Sequence, residues 1–290
     1  ANLKRHHIRT LAASGVKSVQ PGIESLSDHV LKLMRKGTTG LRNVQMLKWC
    51  REFGIKPEWN VLHGFPGETA QDYAAFLAIM EAITHLDPPS GCGPVRLDRF
   101  SPYFETPGSF GLRNLRPIAP FRTLYPFDVE SLKRIAYYFD FDYDPSVDPS
   151  GVAAEVVAFA AEWARSPHRR TLSATDTGEA LLLTDSNGQS PPLRHVLRHY
   201  DRAVYLLCDE VQSLDGVVDK LHGLYPEQRF DAGGIAAFLQ SLIANRLMIS
   251  DGQHYLAVAI FTAYPEDWRE RLLARRDAAV AVARRADALV

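Results

Sequence analysis

Two short runs constrain this chain most. Residues Ser18 to Leu26 (SVQPGIESL) and Asn60 to Thr69 (NVLHGFPGET) each read as a strand that ends in a polar or glycine-bearing turn, with a helix start directly behind it. Strands separated by helices in this way imply βαβ units and a parallel sheet, which makes the expected fold class α/β. In such folds the turns at the carboxyl ends of the strands are where ligands bind.

The surrounding pattern supports that frame. Leu3 to Ser14 is helical and stops at Gly15, a good residue for a helix end. Val16 to Ile23 reads as a strand, and Ser25 to Asp28 has capping-box spacing ahead of Val30, Leu31 and Met34. A second helix carries Leu41, Val44, Leu47 and Cys50 on one stripe, with Gly54 beyond it. Lys56 to Leu62 is the next strand. Thr69 to Asp72 caps a helix with Tyr73, Phe76, Leu77, Met80 and Ile83 at helical spacing. Pro88 to Pro94 reads as a loop and Val95 to Phe100 as strand. Three such strands are half of a barrel.

Beyond Pro145, Pro149 and Gly151 the pattern changes. Val152 to Arg165 is an alanine-rich helix, and Thr171 to Leu183 suggests a hairpin around Thr175 to Gly178. Helical stretches at His195–Leu207, Leu214–Leu221 and Ala232–Leu247 then precede a hairpin turning at Asp251-Gly252. Three helices and a hairpin is the order of a small α+β winged-helix domain. The expected division is therefore 1–145, 146–190, 191–263, and a helical tail over 264–290.

Composition excludes several classes. The 290 residues are 46% hydrophobic and 23% charged with a formal net charge of −1, so no global field selects nucleic acid or anionic membrane. No apolar run has the length of a membrane span. Three cysteines, Cys50, Cys92 and Cys208, make no disulfide framework, which points to a reducing cytoplasm. Between Pro191 and Ala263 six Lys or Arg face eight Asp or Glu, and the third helix carries only Arg246, which disfavours DNA binding and a transcriptional regulator.

Several residues are candidates for chemistry. Gln20 and Glu24 share strand parity, and an amide with a carboxylate suits the hydroxyls and ammonium of a nucleoside-like ligand. With Ser25 and Asp28 beside them they also read as a helix-capping cluster, and spacing alone favours the cap. The turn after Leu62, His63 and Gly64 offers close backbone approach and amide groups at a helix start, or is simply a tight turn. His63 alone is more often a packed, hydrogen-bonded histidine than a base. His6 and His7 are adjacent, so their side chains are expected to diverge and make a poor metal pair.

Here a resemblance enters. Gln20 to Ser25 with Met34 to Thr38, and Asn60 to Thr69, are similar to the fourth- and fifth-strand regions of cobalamin-associated radical S-adenosylmethionine (SAM) enzymes. Arg96 to Phe104 and Ile135 to Phe139 narrow the likeness to the RiPP maturation radical SAM protein 1 group, which modifies ribosomally synthesised peptides. The likeness covers about residues 1 to 145 and implies a partial radical SAM (β/α) barrel, about strands four to six. It implies that Gln20, Glu24 and Ser25 face the ribose and methionyl end of SAM and that Asn60, Leu62, His63 and Gly64 line the adenine. Arg99 meets a carboxylate in the pocket or pairs with Asp98. The implied cofactors are SAM and a [4Fe-4S] cluster, with cobalamin an option, and the implied partner is a precursor peptide. The small C-terminal domain would hold that peptide by adding a strand, or would close the barrel.

The cluster requires three cysteines at C-x3-C-x2-C spacing, because soft thiolates hold Fe–S centres. Here the cysteines are 42 and 116 residues apart, so this sequence assigns no metal ligands. The chain opens on Ala1 rather than Met, and the expectation is a fragment whose cluster loop lies upstream. A rival expectation is a non-catalytic peptide-binding scaffold with a degenerate barrel.

Overall fold

The computed structural model describes residues 3–166, 170–186, 188 and 190–274. Helix α1 (Arg5–Ala13) ends at Ser14 and Gly15, the glycine at φ +88°. Strand β1 (Ser18–Val19) follows, then α2 (Asp28–Leu33) and α3 (Gly40–Glu52). Next come β2 (Lys56–Pro57), β3 (Asn60–His63) and α4 (Ala70–Ala82). The N-cap of α2 is Ser27, whose hydroxyl accepts from the Val30 N–H at 3.3 Å, in place of the expected Ser25. Ser25 instead accepts the Ser27 N–H at 3.1 Å, bending the strand into the helix. Thr69 and Asp72 form the expected capping box of α4.

Strands β1 and β2 are parallel, and the ladder continues past them. Glu58 N–H reaches Val19 O at 2.8 Å, Asn60 N–H reaches Ile23 O at 3.3 Å, and Leu62 N–H reaches Glu24 O at 2.9 Å. Two extra residues, around Pro21 and Gly22, loop out of this ladder, which is why the strand is regular only at its start. On the far side β3 pairs in parallel with β4 (Gly91–Pro94), register Asn60 to Gly91 and Leu62 to Gly93. The Gly/Pro-rich stretch read as a loop is thus strand, because its neighbour supplies the hydrogen bonds its composition does not advertise.

The chain continues through β5 (Leu97–Asp98), α5 (Pro102–Glu105), β6 (Leu112–Pro117), α6 (Ala119–Leu124), α7 (Val129–Ile135) and β7 (Tyr138–Tyr143). These strands form an antiparallel sheet in the order β5-β7-β6 over a separate small core of Leu97, Leu112, Ala136 and Phe139. The fold is mixed α/β in several small sheets, and the described residues close no barrel.

The second half begins with α8 (Ala154–Arg165) and the expected hairpin, β8 (Leu172–Asp176) with β9 (Ala180–Asp185). The next segment departs from expectation: Leu193–Arg198 is strand β10, paired with β9, and only His199–Leu207 is helix α9. The residues there suit either state, and the free edge of β9 decides. Then come β11 (Gln212–Ser213), α10 (Leu214–Leu224), α11 (Ala232–Ala244), β12 (Met248–Ser250), β13 (His254–Ala257) and β14 (Ile260–Phe261). β14 completes a sheet β10-β9-β8-β14, and β11-β13-β12 form another. Residues 268–274 are helical; the rest of the expected tail, 275–290, lies outside the described residues. Arg246 falls beyond the end of α11 and pairs with Glu81 at 3.0 Å, so α11 itself carries no cation.

One hydrophobic core runs through both halves. Trp59, Val61, Tyr73 and Phe76 belong to the same buried cluster as Trp163, Leu181, Tyr205 and Leu256. A buried charge group joins α1 and α3 to the C-terminal half: Lys48, fully buried, pairs with Asp209 and donates to Ala257 O at 2.9 Å. Arg5 reaches Glu52 at 2.6 Å and Asp209 at 2.9 Å.

Candidate functional site

Alternation along β3 decides which face is available. Trp59 and Val61 are buried against α4 and α8, so Asn60 and Leu62 point the other way, Asn60 exposed and Leu62 half-buried. In the ladder the step from Ile23 O to Glu24 O sets Glu24 beside Asn60. Gly91 and Gly93, register partners of Asn60 and Leu62, leave that face bare. A Cβ on Gly93 would meet nothing within 4 Å, and one on Gly91 only the Asn60 side chain, at 3.2 Å. The result is a strip free of side chains with a carboxylate at one border, a surface on which a flat ring can lie.

The Glu24 carboxylate is partly covered, and Lys36 Nζ lies 2.5 Å from its Oε2. Its other oxygen accepts no hydrogen bond from a described residue. Gln20 is exposed. Ser25, in contrast, is buried: its hydroxyl takes the Ser27 N–H and its carbonyl takes the Asn43 amide at 3.0 Å. Ser25 shapes the turn and faces away from the strip.

Of the two readings of the turn after β3, amides open to a ligand or a tight turn, the geometry fits the tight turn: the Gly64 N–H donates to Glu68 Oε2 at 2.7 Å and the Gly67 N–H to Val147 O at 3.3 Å. Glu68 also receives the Tyr73 hydroxyl at 2.7 Å, and the Tyr143 hydroxyl donates to Gly64 O. The carboxylate thus fills the nest that an external anion would have used. Burial pushes the Glu68 carboxyl up, and the bonds from Tyr73 and the turn amides only partly offset it. Gly64 sits at φ +88°, and a Cβ there would come within 2.9 Å of the Tyr143 oxygen, so only glycine fits.

His63 is half-buried, makes no side-chain hydrogen bond to a described residue, and burial lowers its pKa. The expectation of a hydrogen-bonded histidine does not hold for it. Arg99 is turned away from the strip: its guanidinium donates to Ala136 O at 2.6 Å and to Lys133 O, capping α7, over the rings of Phe104 and Phe139. Arg96, not Arg99, takes Asp98, at 2.7 and 3.2 Å. The His6 and His7 rings, expected to diverge, lie 4.0 Å apart by centroid, because His7 folds back to accept the Lys4 N–H.

Sequence reasoning did not single out Glu68, Tyr143 or Lys36. Glu68 lay within the quoted run, four residues after Gly64, a spacing that can return a carboxylate to a turn amide. Tyr143 carried no local signal, since it reaches the turn from 79 residues away.

The donor set suits SAM: a carboxylate and an exposed amide for hydroxyls or an ammonium, and a bare strip for a flat base. The same chain does not suit a [4Fe-4S] cluster. Among the described residues no group of three or more His, Cys, Asp or Glu could hold a metal. Burial also pushes the thiols up, Cys50 and Cys208 to about 12 and Cys92 to about 11, so they stay protonated at neutral pH.

Comparison with known proteins bears on the N-terminal part. Residues 2–79 match the profile of the Radical SAM superfamily. A stretch of 52 residues is 40% identical to a protein of Methanocaldococcus jannaschii named "Putative methylthiotransferase", covering 18% of this chain and 12% of that relative. The chain thus spans about an eighth of the relative it matches. No solved structure gives a significant match. No described helix is long and apolar enough to cross a membrane.

Proposed function

We propose that this chain supplies the SAM-binding wall of a radical SAM enzyme. The observation that carries the reading is the alignment of Glu24 beside Asn60 on adjacent parallel segments, bordering the bare Gly91–Gly93 strip that leads to the Gly64 turn. The superfamily match over residues 2–79 covers both Glu24 and Asn60. In this reading the three parallel strands are part of a (β/α) barrel. Gln20 and Glu24 orient the ribose and methionyl end, while Asn60 and Leu62 flank the adenine. Glu68 and Tyr143 hold the Gly64 turn rigid from behind. When bound beside a reduced cluster, SAM supplies one-electron chemistry at a substrate C–H bond. The ligands of that cluster come from outside these 290 residues.

The finer reading is a cytoplasmic enzyme acting on a ribosomally made precursor peptide, with C-methylation through cobalamin as its specific form. No residue described here is assigned to cobalamin. The order α9, β11, α10, α11, β12, β13 supports a winged-helix module, and its acidic balance supports a peptide over nucleic acid as partner. In the β12–β13 ladder the N–H and C=O of Met248 and Ser250 face away from β13, onto a cleft of about 550 Å3 lined by Ala75, Ala78 and Ile79 of α4. An extended peptide could pair there.

The test is calorimetric titration of the 290-residue protein with S-adenosylhomocysteine, which needs no cluster. Binding is expected, and Glu24→Gln is expected to weaken it about tenfold, as loss of a charge-assisted hydrogen bond does. Absence of binding, or equal affinity in the variant, would overturn the reading and leave the peptide scaffold.

A further inference from the structure

The sheet β10-β9-β8-β14 leaves one side of β10 without a partner strand. The register decides which backbone groups that side offers. Thr177 N–H bonds Ala180 O and Ser186 N–H bonds Thr171 O, both at 2.9 Å, so Ala180, Leu182 and Thr184 turn their backbone groups to β8. Leu181, Leu183 and Asp185 then serve β10, opposite Leu197, His195 and Leu193. The N–H and C=O of Arg194 and Val196, with the N–H of Arg198, are left pointing outward, and no described residue bonds to them. The Arg198 C=O opens α9 instead.

The same three residues carry the outer face. Leu197 is buried and Val196 is 51% exposed, so alternation along the strand sets Arg194, Val196 and Arg198 on the solvent side. Both arginines are exposed, and neither makes an ion pair or a side-chain hydrogen bond with a described residue. No Asp or Glu occurs between Ser186 and Asp201 to balance them. The edge therefore reads cation, apolar, cation, on residues whose main chain is also unpaired.

Charge decides the occupant. A second copy of β10, antiparallel about Val196, would set each Arg194 opposite an Arg198, and like charges directly opposite oppose pairing. An added strand with a carboxylate opposite each arginine and an apolar residue opposite Val196 meets all three side chains as well as the outward backbone groups. Past Arg198 the edge opens on a cleft of about 720 Å3, where the Tyr200 ring, 38% exposed, stands edge-on to Tyr225 at 4.8 Å. Glu179 and Asp201 also line that cleft, so it repels a further acid and suits an apolar side chain.

We propose that β10 is a docking edge for an extended acidic peptide in which two acidic residues, four positions apart, flank an apolar one. Main-chain hydrogen bonds supply the general affinity of strand addition, and side chains at alternate positions supply the selection. The edge is separate from the SAM strip and from the β12 cleft, and the proposal depends on neither.

The probe is the synthetic peptide acetyl-Thr-Glu-Thr-Val-Thr-Glu-Thr-amide, followed through the backbone amide signals of 15N-labelled protein. It is expected to move the signals of Arg194, Val196 and Arg198 with a dissociation constant of about 100 μM. Arg194→Glu combined with Arg198→Glu, checked for an unchanged unfolding midpoint, is expected to weaken binding tenfold or more. That variant is expected to bind instead the peptide with Lys in place of Glu, a reversal that damage to the fold cannot produce. Val196→Pro is the second variant if the first folds poorly. Its lost N–H points away from β9, so the sheet keeps its ladder while peptide binding is abolished. No movement at about 1 mM peptide, or equal affinity for the Glu and Lys peptides, overturns the proposal. A dimer in sedimentation that Val196→Pro dissociates would overturn it as well and give the edge to a second copy. Saturating S-adenosylhomocysteine is expected to leave the peptide titration unchanged, so either site can fail without the other.

Discussion

His85 shows what burial does to one residue. It is 4% exposed, with Nε2 bonded to Val258 O at 2.8 Å and Nδ1 left without a partner. Burial drives its pKa down to about 3, against a weaker upward pull from the Val258 carbonyl. The unfolded chain therefore binds a proton near pH 6.5 that the folded chain refuses, and stability contributed by neutral His85 is present above that pH and drains away as pH falls toward 3. The urea midpoint is expected to drop between pH 7 and pH 5, and to drop less in His85→Gln. An equal drop in both proteins would remove His85 as the cause. Nothing in the sequence marks this residue, because its environment is built by Val258, 173 residues away. Asp72 is the opposite case. Burial pushes its carboxyl up, but bonds from His29, Thr69 and Ser27 outweigh that and hold it low. Its role as a cap was readable from the sequence, since Thr69 and Asp72 are three residues apart; its grip on Ser27 at 2.9 Å was not.

Helix caps and turns were the most legible features among the elements. The box at Thr69 and the stops at Gly15 and Gly54 follow from local chemistry, and Thr69→Ala is expected to cost about 1 kcal/mol by chemical denaturation. Gly40 reverses the local rule. Helix propensity favours alanine at the start of α3, yet a Cβ there would lie 2.0 Å from Leu26 O and 2.8 Å from its carbonyl carbon. Backbone cannot swing aside as a side-chain tip can. Gly40→Ala is expected to destabilise by about 1–3 kcal/mol; an unchanged or raised midpoint would refute the clash. The strands were less legible. Gly91–Pro94 and Leu193–Arg198 became strands because β3 and β9 had unpaired edges to offer, a property of the neighbour and absent from the segment's own composition.

At the scale of the whole molecule, the shared core and the Arg5–Glu52–Lys48–Asp209 group join the two halves into one unit. Lys48→Met takes the ammonium from Asp209 but leaves Arg5 on it at 2.9 Å, and is expected to cost about 2–3 kcal/mol by chemical denaturation. Tryptophan fluorescence and far-ultraviolet circular dichroism are expected to report coincident unfolding transitions, since Trp59 and Trp163 share an edge contact at 6.4 Å across that core. Two separated transitions would show independent units.

The alternation of helix and strand up to β3, the capping box at Thr69 and the helix stops at Gly15 and Gly54 were present in the amino-acid order, because each depends on periodicity or on partners within a few residues. The closing of the Gly64 turn by Tyr143, the diversion of Arg99 to α7 and the burial of Lys48 against Asp209 were settled by folding alone. Each joins residues far apart along the chain, and a sequence carries no signal for a contact until the core has brought its two sides together.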